Sequence, residues 1–298
     1  MVAKIGRKIK LYGELVMFSH SLFALPFGLA GMILAANGLP PWRTFFWIMV
    51  CLLGARNAAN ALNRVIDREI DAKNPRTAQR HIPQGLVTIG EALVLTGLGF
   101  FLLLVGAWQL NPLCFKLAPL AVFILVIYSY TKRWTWLCHL VLGFACGIAP
   151  TASWIAVTGQ FALPPLILSA AVMAWVAGFD IIYATQDIDF DRREGIFSIP
   201  AKFGLENSLK ISALLHAITL ILLLLLPLTL APPYATLGGC YYLGVILIAG
   251  LLVGEHLLVR PHDLKRVTTA AYTVNQIIGP VLLLFILMEV YLGKGGNI

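Results

Sequence analysis

The sequence predicts an all-α membrane protein of nine transmembrane helices with its N-terminus in the cytoplasm. Three observations carry that class. Of 298 residues, 59% are apolar and only 12% charged, roughly half the charge of an ordinary soluble domain. Apolar runs of about 18 or more residues recur along the chain, each long enough to cross the hydrocarbon of a bilayer. The 22 Lys and Arg gather in alternate connections between those runs, the bias that marks cytoplasmic loops. The formal charge of +8 is therefore a matter of topology, and no nucleic-acid partner is implied.

The expected spans are 14–36, 42–62, 90–109, 112–130, 136–157, 163–184, 209–230, 235–257 and 268–291. The basic stretch Met1 to Lys10 precedes a full-length span without a small-residue cleavage site, and so reads as a retained cytoplasmic arm. The outer connections are short and turn-like: Asn37-Gly38-Leu39-Pro40-Pro41, Asn111-Pro112, Thr158-Gly159 and Ala231-Pro232-Pro233. Inner loops carry Arg64, Arg68, Lys73, Arg76 and Arg80, then Lys132 and Arg133, then Arg192, Arg193, Lys202 and Lys210, then Arg260, Lys265 and Arg266. The outer side has Arg43, Lys116 and Lys294. Five cysteines (51, 114, 138, 146 and 240) form no CxxC pair and read as packing thiols.

Two polar stripes interrupt this apolar background. On a helix, Arg56, Asn60, Asn63, Asp67 and Asp71 fall within an arc of about 80°, and Asp180, Tyr183, Asp187 and Asp191 do the same. Each ends a span with Asp-xxx-Asp, followed by basic residues and a proline: Arg76, Arg80 and Pro83 in the first, Arg192, Arg193 and Pro200 in the second. The repetition points to a single domain over residues 1–298 built from duplicated halves, about 1–134 and 135–298. The expectation is that the two stripes meet.

A carboxylate within a span costs about 2.5–3.5 kcal/mol and marks a polar cavity. Several converging in a low dielectric repel one another, and a divalent cation relieves that repulsion. Carboxylates with Asn, and no His or Cys, suit Mg²⁺, which keeps waters and phosphate oxygens in its shell. Two Asp-xxx-Asp pairs ringed by Arg and Lys thus describe a site for a diphosphate held by metal. A single such pair would fit helix-end carboxylates bonded to nearby arginines; two at equivalent helix ends do not.

The motifs resemble those of the UbiA superfamily of intramembrane prenyltransferases. Asn63, Asp67 and Asp71 are similar to its NxxxDxxxD, and Tyr183-Ala-Thr-Gln-Asp187-Ile-Asp-Phe-Asp191 to its YAxxDxxxD. Tyr128-Ser-Tyr-Thr-Lys132-Arg133 and the stretch from Gly143 to Ala156 resemble further family segments. The resemblance implies a nine-helix bundle around a cavity open to lipid, in the cytoplasmic membrane. It implies two Mg²⁺ ions, one held by Asn63, Asp67 and Asp71 and one by Asp187 and Asp191, with a polyprenyl diphosphate between the motifs. Arg64, Arg80, Lys132 and Arg133 become the candidates for the diphosphate oxygens. Ionising the allylic diphosphate would leave a cation that Tyr128, Tyr130 or Tyr183 could face, although interfacial anchoring or packing explains these tyrosines equally. An electron-rich aromatic ring would then attack and lose a proton.

Arg56 has two readings: it pairs with Asp180, or it holds the carboxylate of an aromatic acid. Two departures from the family pattern bear on the acceptor. Phe18 to Pro26 stands where an arginine-proline pair is usual, and Arg80-His81-Ile82-Pro83 replaces Arg-Pro. Both resemble the branch whose acceptor is 1,4-dihydroxy-6-naphthoate in menaquinone synthesis, beside the 4-hydroxybenzoate enzymes of ubiquinone synthesis. His20 is either a base or acceptor contact or a packed histidine bonded to a neighbouring helix, and His139, His216, His256 and His262 receive no role. The alternative class is an ion- or proton-coupled transporter using the same carboxylates, but transporters place theirs near the midplane in broken helices.

Overall fold

The computed structural model describes residue 8 and residues 11–16, 25–261 and 264–295. His20, His262 and, apart from Lys8, the basic arm Met1 to Lys10 lie outside the described residues. The labelled helices are α1 (Leu25–Ala36), α2 (Trp42–Ile66), α3 (Arg68–Lys73), α4 (Ile89–Leu110), α5 (Pro112–Thr131), α6 (Cys138–Thr158), α7 (Leu163–Ala184), α8 (Ile188–Glu194), α9 (Ile199–Leu225), α10 (Gly239–Leu258) and α11 (Asn275–Gly295).

Eight helical stretches among the described residues are long and apolar enough to cross a membrane: 42–66, 89–110, 112–131, 138–158, 163–194, 199–229, 239–258 and 269–292. They match eight of the expected spans. The remaining one, 14–36, is seen as the 12-residue α1, about 18 Å of helix, with 17–24 outside the described residues. α1 begins beside Pro26, which lacks an N–H and fits a first turn. α9 starts ten residues before the expected 209, because Ser198 caps it, accepting from the Ala201 N–H, and Pro200 sits in its first turn. Gly204, at φ +76°, then bends the chain.

Two compact units make up the chain, residues 1–21 with 46–130 and residues 22–45 with 131–298. In the first, α2 and α4 touch backbone to backbone. A Cβ on Gly99 would lie 2.6 Å from the Gly54 carbonyl oxygen and 2.8 Å from the Ala58 Cβ. Small residues at this crossing replace the hydrophobic drive that lipid does not supply. At the start of α4, Thr88 and Glu91 form a reciprocal capping box, and Leu15, Val65, Val87 and Ala92 form a buried apolar cluster.

In the second unit α6 lies against α7 through Gly143 and Gly147; a Cβ on Gly147 would come 2.7 Å from the Ser169 carbonyl oxygen. A buried polar chain crosses the core of this unit. Trp175 Nε1 donates to Asn275 Oδ1 at 2.6 Å, and Asn275 Nδ2 donates to Glu255 Oε1 at 2.9 Å. Asn275 Nδ2 also reaches the carbonyls of Ala270 and Ala271, at 3.2 and 3.3 Å. Those carbonyls belong to the π-helical turn Thr269–Val274, whose looser ladder an amide side chain can complete. Large apolar side chains such as Trp42, Val94 and Leu228 stand mostly exposed, as lipid-facing residues do.

The close crossing is testable. Gly99→Leu should lower the melting temperature of the purified protein in detergent, by a cost of about 1–3 kcal/mol. Gly97→Ala, where a Cβ meets nothing within 4 Å, should not. Equal melting of the two would refute the crossing.

Candidate functional site

Both acidic motifs sit at helix breaks, and in both the helix breaks at the first aspartate. α2 ends at Ile66 and Asp67 has φ −89° and ψ 0° before α3 begins. α7 ends at Ala184, a 3₁₀ turn covers Thr185–Asp187, and Asp187 has φ −108° and ψ 7° before α8 begins. These are bridge-region dihedrals, sparsely populated and frequent at functional sites. Each stripe is thus interrupted at one residue, its first motif aspartate. Helical spacing puts the two aspartates of each motif on one face and turns the residues between them away. Side-chain exposure shows that division: 77% for Glu69 and 4% for Asp71.

In the first unit, Asp67 and Asp71 are both buried. The main chain stays bonded through the turn, with Asp67 N–H donating to Asn63 O at 2.9 Å and Asp71 N–H to Asp67 O at 2.8 Å. Asn63 Nδ2 donates to Asp67 Oδ2 at 2.8 Å and to Ser129 Oγ at 3.3 Å. One guanidinium nitrogen of Arg80 straddles the Asp71 carboxylate, at 2.6 and 2.8 Å from its two oxygens. Thr77 Oγ1 donates to the Asp71 carbonyl at 3.1 Å, so the loop after α3 folds back over the motif. Arg56 and Arg64 lie partly buried on α2. Tyr128 donates its hydroxyl to the Ala59 carbonyl at 3.2 Å.

In the second unit, Asp191 is buried and accepts from Ser198 Oγ at 2.7 Å, the same oxygen that caps α9 at 3.2 Å. Asp187 is partly exposed. Lys132 is fixed beside this turn through its carbonyl, which accepts from the Phe197 N–H at 2.8 Å, and Arg133 follows it. Tyr183 meets Tyr272 edge-on with ring centroids 4.8 Å apart. Asp180 accepts from His139 Nδ1 at 2.7 Å. His139 thus has a carboxylate partner that no sequence spacing reveals, 41 residues away. Ser198 is legible as a helix start in Ser-Ile-Pro, but its second bond, to Asp191, is not.

No three His, Cys, Asp or Glu side chains among the described residues form a ready-made metal cage. Neither motif alone supplies a zinc-type site. Buried carboxylates with an asparagine suit a hard ion that takes much of its shell from phosphate oxygens and water, so the donor set fits magnesium.

The UbiA prenyltransferase family's sequence model matches residues 24–279. Similar proteins include the 4-hydroxybenzoate octaprenyltransferases of Vibrio campbellii, 32% identical over 95% of this chain and 98% of that protein, and of Vibrio vulnificus, 31% identical over 93% and 96%. Among solved structures, a UbiA homolog from Aeropyrum pernix K1, in its apo form, has a TM-score of 0.81 at 30% identity, covering 91% of this chain and 98% of that one. A UbiA homolog from Archaeoglobus fulgidus, bound to GPP and Mg²⁺, has a TM-score of 0.66 at 19% identity, covering 94% and 99%, and speaks for the fold alone. A family match over most of the sequence and relatives aligned nearly end to end leave one conclusion: this chain belongs to the UbiA prenyltransferase family.

Proposed function

We propose that this protein transfers a polyprenyl group from polyprenyl diphosphate to an aromatic acid, using magnesium, in the cytoplasmic membrane. The observation that carries the reading is the pair of acidic motifs, each breaking its helix at the first aspartate and burying the second. In this reading Asn63, Asp67 and Asp71 hold one ion and Asp187 and Asp191 another. Bound magnesium supplies positive charge to the departing diphosphate. Arg64, Arg80, Lys132 and Arg133 hold the diphosphate oxygens. The bond from the allylic carbon to the diphosphate oxygen breaks to leave an allylic cation and diphosphate; a ring carbon of the acceptor then bonds to that carbon, and a proton leaves. Apolar helix walls keep water from the allylic cation, and Tyr128 and Tyr183 are the aromatic candidates to face it. None of the relatives named above is a transporter, and that alternative lapses.

The acceptor proposed first is 4-hydroxybenzoate, supported by the names of the relatives. A second reading, 1,4-dihydroxy-6-naphthoate, is favoured by Arg80-His81-Ile82-Pro83 and by the sequence from Phe18 to Pro26. Both are aromatic acids, and Arg56 is assigned to the carboxylate. The membrane arrangement proposed is nine passes with residues 14–36 as the first, the N-terminus and the basic loops on the cytoplasmic side, and a single domain of duplicated halves.

Membranes containing the protein, given a polyprenyl diphosphate, Mg²⁺ and each acid in turn, should yield one prenylated acid by mass spectrometry; no product with either acid would sink the assignment. Arg56→Ala should raise the KM for that acid at least tenfold while leaving the KM for prenyl diphosphate nearly unchanged, and an equal rise in both would remove Arg56 from the acceptor. Asp67→Ala and Asp191→Ala should each lower kcat by roughly 10³-fold without loss of membrane insertion. Full turnover in both variants would contradict the metal assignment. An alkaline phosphatase fused after Ile298 should be active, as an odd number of passes requires, and inactivity would exclude nine.

A further inference from the structure

Resting on the prenyl-transfer reading above, we propose that Asp180 is the base that takes the phenolic proton of the aromatic acceptor, and that His139 is a positioning residue which fixes the Asp180 carboxylate for that task. His139, Gly143 and Gly147 recur every four residues on α6 and share one face of the helix. A Cβ on Gly143 would collide with the Met173 carbonyl oxygen, so α6 and α7 approach closely only because glycines stand there. One turn before them the same face carries an imidazole, and the close approach sets it against Asp180.

The pair is asymmetric in burial. The His139 side chain is 5% exposed and that of Asp180 24%. Nε2 of His139 is sealed and has no hydrogen-bond partner among the described residues. Substrate therefore cannot reach the imidazole, which excludes it as the base. A buried polar group left half-satisfied is costly, and a use for it lies in its other nitrogen. Nδ1 holds Asp180 Oδ2 at 2.7 Å, and no bond to Oδ1 is formed among the described residues. The carboxylate is thus locked by one oxygen and presents the other from a partly exposed side chain. That division of labour, a buried partner orienting the group that handles the proton, recurs in acid–base sites.

Position supplies the link to the reaction. Asp180 precedes Asp187 by seven residues on α7 and the turn that ends it, about 10 Å deeper along the axis. A diphosphate held at Asp187 has room within that distance for its allylic carbon and then an aromatic ring. The proton balance closes. The phenol O–H proton passes to Asp180, the carbon–oxygen bond to diphosphate breaks to leave the allylic cation, and the ring carbon bonds to that cation. The resulting dienone loses its ring proton to the diphosphate and regains a proton on oxygen from Asp180. Each cycle thus releases one prenylated acid and one protonated diphosphate.

The test compares Asp180→Asn, His139→Ala and His139→Gln with the parent protein, using the accepted aromatic acid and a ring-fluorinated analogue whose phenol is more acidic. Asp180→Asn should lose 10²–10⁴-fold in kcat with little change in KM for prenyl diphosphate. With the fluorinated acid, that loss should shrink at least tenfold, because a more acidic phenol depends less on a base. His139→Ala should lose at least tenfold, and His139→Gln, whose amide can still donate to Asp180, should recover most of it. The proposal is overturned if Asp180→Asn keeps its kcat, if its loss is the same for both acids, or if the alanine and glutamine variants at 139 behave alike. The two histidine variants decide the question even where Asp180→Asn does not fold. A parent protein inactive toward every aromatic acid would instead overturn the function on which this rests.

Discussion

A carboxylate inside a membrane-spanning stretch is among the most expensive groups this chain carries, at about 2.5–3.5 kcal/mol by insertion scales, and much of the structure answers that cost. Asp67 takes a bond from Asn63, Asp71 from Arg80, Asp180 from His139, Asp191 from Ser198 and Glu255 from Asn275. The partners differ in kind, and the kinds divide the carboxylates. Glu255 and Asn275 knit a helix core and complete a π turn, a structural use. The motif aspartates lie at helix breaks, where the partner of the second aspartate comes from the loop or helix start that follows. There the i, i+4 spacing buries Asp71 and Asp191 and leaves Glu69 and Asp189 exposed.

Most of the fold is legible in the sequence because lipid makes composition speak plainly. Span ends such as Leu110 and Ala184 follow from Asn-Pro and from the onset of polar residues. Where the structure departs from expectation, polarity outweighs a local signal. Lys202, Glu206 and Asn207 hide the start of α9, although Ser198 and Pro200 announce it. The π turn at Thr269–Val274 leaves no pattern in the sequence, since the residue that satisfies it, Asn275, reads as an ordinary polar interruption.

The site is legible as motifs and opaque as geometry. Asp-xxx-Asp spacing promises one helical face, but nothing in Asn63 to Asp71 marks the turn at Asp67. His139 gives no signal since its partner is distant in sequence, and only the glycine face of α6 hints at close packing there. Arg80, expected from the sequence to contact phosphate, sits on Asp71. It brings a guanidinium to the carboxylate that the proposed function assigns to metal, so the loop after α3 already sets a cation against the acid on α3.

The proposed chemistry depends on the acidic motifs gripping a prenyl diphosphate through magnesium. The direct measurement is equilibrium binding of an unreactive thiolo analogue of geranyl diphosphate to the purified protein, with Mg²⁺ and with EDTA, beside Asp67→Asn and Asp191→Asn variants of unchanged melting temperature. Binding should require Mg²⁺ and weaken at least tenfold in either variant. Binding that survives EDTA and both substitutions at full strength would contradict the magnesium grip.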